Sequence, residues 1–291
     1  MSYGVSMALN EITLVLFTTL SPSSVIACVI LALLILAAPL SAAERLKIDR
    51  GMGLPLGLSM IGLIASATHL GSPENALYVF TRVGDSPLSN EVFSAVLFLS
   101  ACGLFWLLCF MEKQHVTLQR VLSVFIIITG CLCVVMIGLA YNAPSIIGWH
   151  NVYVPLNLIF SAFVGGPLLA LFTLLLVFRV PPDKRFTSVL LVLSTFMLVI
   201  NLIVLFVQNA GLADVWNSFT TLAEMIPMYI WMIGVYGVLG CAAIVLMFYQ
   251  LLKVEKPSFV LASLSLALFF AGLFVVRFGF YMMHMTVGLG L

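Results

Sequence analysis

Hydrophobic and polar positions along this chain do not alternate. They gather into long apolar runs separated by short polar stretches. The runs cover 12–38, 52–70, 92–111, 121–141, 156–178, 189–207, 229–251 and 259–283. Each is close to or above the ~20 residues an α-helix needs to cross the hydrocarbon of a bilayer. The pattern therefore predicts an all-α integral membrane protein, with eight transmembrane helices in a single polytopic domain over 1–291. The first run has no basic leading segment and contains Ser21-Pro22. It reads as a spanning helix kinked at the proline, not as a cleavable leader.

Composition sharpens this reading. Apolar residues make up 63% of the chain and charged residues 8%, against about 25% charged in a soluble domain. So little charge cannot solvate a globule, which excludes a soluble enzyme and a nucleic-acid binder. The six cysteines all lie within apolar runs, where thiols pack as small hydrophobes. Cys131 and Cys133 are two apart and diverge on a helix, so no metal site is expected from them.

The placement of charge gives an orientation. Arg45, Lys47, Arg50, Lys113, Arg120, Arg179, Lys184, Arg185, Lys253 and Lys256 follow the odd-numbered runs, ten of the twelve basic residues. On the opposite side only Arg82 lies in a connection, and Arg277 falls near the end of the last run. Under the positive-inside rule both termini are expected on the extracytoplasmic side. The outer connections 71–91, 142–155 and 208–228 are the long ones. The first and third of these occupy matching places in the two halves of the sequence, which points to two four-helix bundles in parallel orientation.

Polar residues concentrate at the outer side. His69, His150 and His284 lie there, with Glu11, Glu91, Arg82 and Arg277. Local pattern allows His69 and Glu91 a purely structural reading. His69 would end one helix, followed by Gly71 in a left-handed turn and by Pro73. Ser89 or Asn90 would cap the next helix, with Glu91 in its first turn. The functional reading notes that the two helices are consecutive, so the imidazole and the carboxylate sit at similar depth at the edge of a low-dielectric region. Such a pair can hydrogen-bond a lipid-soluble hydroxyl and accept its proton, and a quinol head group is the fitting substrate.

At these residues a family likeness enters. His69-Leu70-Gly71-Ser72-Pro73, Arg82-Val83-Gly84 and Leu88-Ser89-Asn90-Glu91 resemble the membrane anchor subunit of the anaerobic dimethyl sulfoxide reductase family, DmsC-like. So do Gly165-Gly166-Pro167-Leu168-Leu169, the start Asn10-Glu11 with Leu16-Phe17-Thr18, and the ending Phe280-Tyr281-Met282-Met283-His284-Met285-Thr286-Val287-Gly288. The resemblance implies a non-catalytic anchor in the bacterial cytoplasmic (inner) membrane. It implies two partner subunits, one an iron–sulfur electron-transfer subunit and one a molybdopterin catalytic subunit. It further implies menaquinol as exchangeable substrate, with no haem or metal in this chain. The quinol site carried over from the family is His69 and Glu91. Arg82, Asn90, Arg277 and His284 are candidates for its surroundings, Arg277 either snorkelling to the surface or pairing with Glu11 or Glu91. The terminal acceptor is set on the catalytic partner.

Two other classes compete. A haem b subunit would use His69 and His284 as axial ligands, which places one haem only, since no second histidine pair exists near the cytoplasmic face. A secondary transporter would need ionisable groups and interrupted helices at mid-depth, where only Asn201 and scattered Ser and Thr occur.

Overall fold

The structure, a computed structural model, describes residues 3–68, 73–113, 115–180, 182–217 and 220–285. Its helices in sequence order are α1 (Tyr3–Asn10), α2 (Ile12–Ala37), α3 (Ala42–Gly51), α4 (Gly53–Ala67), α5 (Pro87–Leu107), α6 (Val116–Ala140), α7 (Tyr153–Phe178), α8 (Lys184–Ala210), α9 (Leu222–Met225), α10 (Tyr229–Phe248) and α11 (Phe259–Met282). Among the described residues eight spans are long and apolar enough to cross a membrane, as the run pattern predicts.

Two of these spans form the centre. In α2 and α7 most of the apolar window is buried, whereas in α8 only a third of it is. Helices in lipid gain no hydrophobic advantage from touching one another, so close approach depends on small residues. Gly165 and Gly166 supply it on α7. A Cβ at Gly166 would lie 2.6 Å from Ile26 Cβ and 3.2 Å from the Ala27 backbone nitrogen, and one at Gly165 would lie 2.5 Å from Ser23 Oγ. The glycine-proline patch singled out in the sequence is thus the contact surface between the two central helices. Pro22 and Pro167 are both buried inside unbroken helices. Next to Pro22, Ser21 Oγ donates to the Ser59 carbonyl at 3.0 Å and ties α2 to α4. Gly62 lies where any Cβ would strike that serine hydroxyl.

The helices reach further than the apolar runs. The second span begins at Ala42, not at 52, and takes the charged stretch Glu44–Arg50 into α3. Ser41 and Glu44 form a capping box that satisfies the first N–H groups of α3. Arg45 and Asp49, expected in a connecting loop, are instead buried, and Gln119 Nε2 on α6 donates to Asp49 Oδ2 at 2.6 Å. The span is stepped at Met52. Pro55 has no N–H for the bond that would carry α3 smoothly into α4, and in the first turn of α4 that lack costs nothing.

Candidate functional site

Glu91 lies on α5, and its placement differs from the expectation. Pro87 starts the helix, its fixed φ and missing N–H suiting the first position, so Glu91 sits in the second turn. Neither Ser89 nor Asn90 caps α5; Ser86 occupies the N-cap position and makes no side-chain cap bond. Asn90 instead turns back on the preceding loop, its Oδ1 accepting the Gly84 N–H at 2.7 Å. Gly84 has φ +98°, a left-handed conformation that glycine adopts without strain. This bond pins the turn from Arg82 to Ser86 onto the start of α5.

Above that turn the segment Pro73–Arg82 forms a 3₁₀ helix. It roofs a groove of about 330 Å³. α4 contributes Leu63, Ser66 and Ala67 to the wall, the 3₁₀ helix Leu77, Val79 and Phe80, and α5 Leu88, Ala95, Val96 and Leu99. Among the described residues Glu91 is the only charged one in this lining, and it is 5% exposed. The groove is apolar and bounded by two spanning helices, and its carboxylate can orient and deprotonate a bound hydroxyl. That is the general form of a small-molecule site, a hydrophobic cleft with few polar groups.

The other candidates are dispersed. His69 lies outside the described residues, as does Gly71; His69 follows by two positions Ala67, which lines the groove. Arg82 is exposed, and its carbonyl accepts the N–H of Asp85 at 3.2 Å and of Ser86 at 3.0 Å, closing the turn. His284 is half-buried beyond the end of α11, its ring 5.0 Å from that of Trp149. Trp149 stacks on Phe280 at 4.9 Å and donates its Nε1–H to the Phe280 carbonyl at 3.2 Å. These contacts clamp the 142–152 connection on the end of α11.

Arg277 overturns the expectation that it snorkels. It is 4% exposed, and its guanidinium points inward, donating to the Asn157 carbonyl at 3.2 Å and to the Ser161 hydroxyl. It lines a second, much smaller cavity that shares no lining residue with the Glu91 groove. Around it Asn157, Asn201, Gln208 and Tyr236 are joined by hydrogen bonds across α7, α8 and α10. Sequence reading noted Asn201 and missed the rest. The available signal was spacing: Asn157 and Ser161, and Asn201 and Gln208, are four and seven apart, each pair on one helix face. The groove's α5 wall shows the same signal at 88, 91, 92, 95, 96 and 99.

Among the described residues no three His, Cys, Asp or Glu side chains gather as a metal-ligand group.

Comparison with known proteins agrees with the likeness read from the motifs. The family model described as DMSO reductase anchor subunit (DmsC) matches residues 5–283. The C subunit of the anaerobic dimethyl sulfoxide reductase of Escherichia coli (strain K12) is 32% identical over 281 residues, covering 96% of this sequence and 97% of the relative. The anaerobic dimethyl sulfoxide reductase subunit YnfH of the same organism is 30% identical over 290 residues, covering 97% and 98%. The C subunit of the Haemophilus influenzae enzyme is 28% identical over 283 residues, covering 97% of each.

Proposed function

Because this chain belongs to the dimethyl sulfoxide reductase anchor subunit family, we propose that it is also the quinol-oxidising subunit of its complex. In this reading it draws electrons from menaquinol and passes them to an iron–sulfur partner, which feeds a molybdopterin catalytic subunit reducing dimethyl sulfoxide or a related acceptor. The observation that carries the proposal is the buried Glu91 carboxylate in the wall of an otherwise apolar groove.

The groove lies between α4 and α5, so a quinol can slide in from the lipid with its tail still among apolar side chains. Glu91 takes the proton of one hydroxyl. His69, following the helix that supplies the opposite wall, bonds the other oxygen or takes its proton. Two electrons leave one at a time to a cluster of the partner, docked on the long connections. By the positive-inside distribution these connections and both termini lie on the extracytoplasmic side of the inner membrane. Protons then leave on the same side as the docked partner. Asn90 and Gly84 act by fixing the turn that carries the roof. Arg82 and His284 stand at the same membrane end in roles of support, and Arg277 belongs to the separate cluster within α7, α8, α10 and α11.

The test fills the groove without touching the carboxylate. Val96 lines it and is 42% exposed, so Val96→Trp adds bulk there and leaves the core alone. The expected result is a KM for quinol raised about tenfold or more, the scale of a few misplaced methylenes in an apolar pocket. The rate with a soluble reductant that feeds the iron–sulfur partner directly should not change. An unaltered KM would place the quinol elsewhere.

A further inference from the structure

We propose that the cavity at Arg277 is a binding site for one small hydrogen-bond acceptor, either a water molecule or a monatomic anion such as chloride. The cavity is about 10 Å³, close to the least space that holds one water. Arg277 is buried, and the N–H of its Nε has no acceptor, although the other end of the guanidinium is bonded to Asn157 and Ser161.

The neighbouring amide oxygens each already accept one hydrogen bond. Asn157 Oδ1 accepts from Asn201 Nδ2 at 2.9 Å, Asn201 Oδ1 accepts the Tyr236 hydroxyl at 2.9 Å, and Gln208 Oε1 accepts from Asn157 Nδ2 at 2.7 Å. The group that still needs a partner is the Arg277 Nε–H, which can only donate. Gln208 Nε2 has only the sulfur of Met283 at 4.0 Å, a weak acceptor. A guest beside Arg277 must therefore accept a hydrogen bond.

Charge points the same way. Among the described residues no carboxylate lines the cavity, and a buried cation without a counter-charge or full hydrogen bonding is costly. A guest held by Arg277 Nε and Gln208 Nε2 completes the polar cage. It also joins α8 and α11 through a single atom. Leu205, Leu273 and Phe280 supply apolar walls.

The experiment uses the assembled complex. A density map fine enough to show ordered water is expected to contain one peak within about 3.2 Å of Arg277 Nε. Thermal unfolding in chloride, bromide and gluconate at equal ionic strength separates the two guests. An anion raises the midpoint by several degrees in the halides, and Arg277→Gln removes the difference. Water gives the peak with no halide dependence. Gln208→Leu keeps the arginine, removes a donor and fills the space, so it should erase the peak even if the Arg277 variant fails to assemble. A wild-type map with no peak beside Arg277 Nε would overturn the proposal. So would a peak or halide effect that persists in Gln208→Leu.

Discussion

Glu91→Gln is expected to lower quinol-dependent turnover of the assembled complex by about 10²–10⁴-fold, the range over which a positioned general base contributes. The amide keeps the shape and hydrogen-bonding capacity of the carboxyl but cannot take a proton. The effect should be that large because the described walls of the groove offer no substitute: Glu91 is their only charged residue, and the others are Leu, Val, Ala, Phe and one Ser. Two controls separate chemistry from assembly. The three subunits should still co-purify in wild-type proportion, since Glu91 is buried in the groove wall. Turnover with a soluble reductant given directly to the iron–sulfur partner should be unchanged. Wild-type quinol turnover in the variant would remove Glu91 from the mechanism.

Gly166→Leu is expected to destabilise the protein by about 3 kcal/mol or more, at or beyond the upper end of ordinary overpacking costs. The reason lies in what stands opposite. A Cβ alone would already lie 2.6 Å from Ile26 Cβ and 3.2 Å from the backbone nitrogen of Ala27. Side chains can turn aside, but the backbone of α2 can yield only by moving the whole helix. Since α2 and α7 are the two most buried spans, their separation would disturb contacts on every side. Gly57→Leu is the control, because no atom lies within 4 Å of a Cβ built there. Thermal unfolding of the complex in detergent and the amount of protein in membranes should show a large loss for the first and little for the second.

The eight spans were legible in the sequence because the demand for about 20 apolar residues comes from the bilayer, not from tertiary packing. The ends were less legible, because they depend on local bonding. The charged stretch from Glu44 to Arg50 looks like a loop by hydropathy, yet Ser41 and Glu44 carry the capping-box spacing that starts a helix there. Pro87 in the same way marks the true start of α5 ahead of Ser89 and Asn90.

The candidate site divides along similar lines. Glu91 could be singled out as a carboxylate beside an apolar run. Its groove could not, since a face at 88, 91, 92, 95, 96 and 99 can equally well meet lipid until α4 and the 3₁₀ helix are placed against it. Arg277 was misjudged for a related reason. Reasoning from charge looked for an acid, Glu11 or Glu91, whereas the fold supplies Asn157 and Ser161 from a helix more than a hundred residues earlier. Neutral partners at such separation leave no mark in local sequence.

A structure of the complete complex with a quinol-analogue inhibitor bound tests the central claim most directly. The inhibitor head group should lie in the groove between α4 and α5, with one oxygen about 3 Å from the Glu91 carboxylate and the tail leaving between the two helices. A head group bound at another face of the protein, with only lipid against Glu91, would contradict the account.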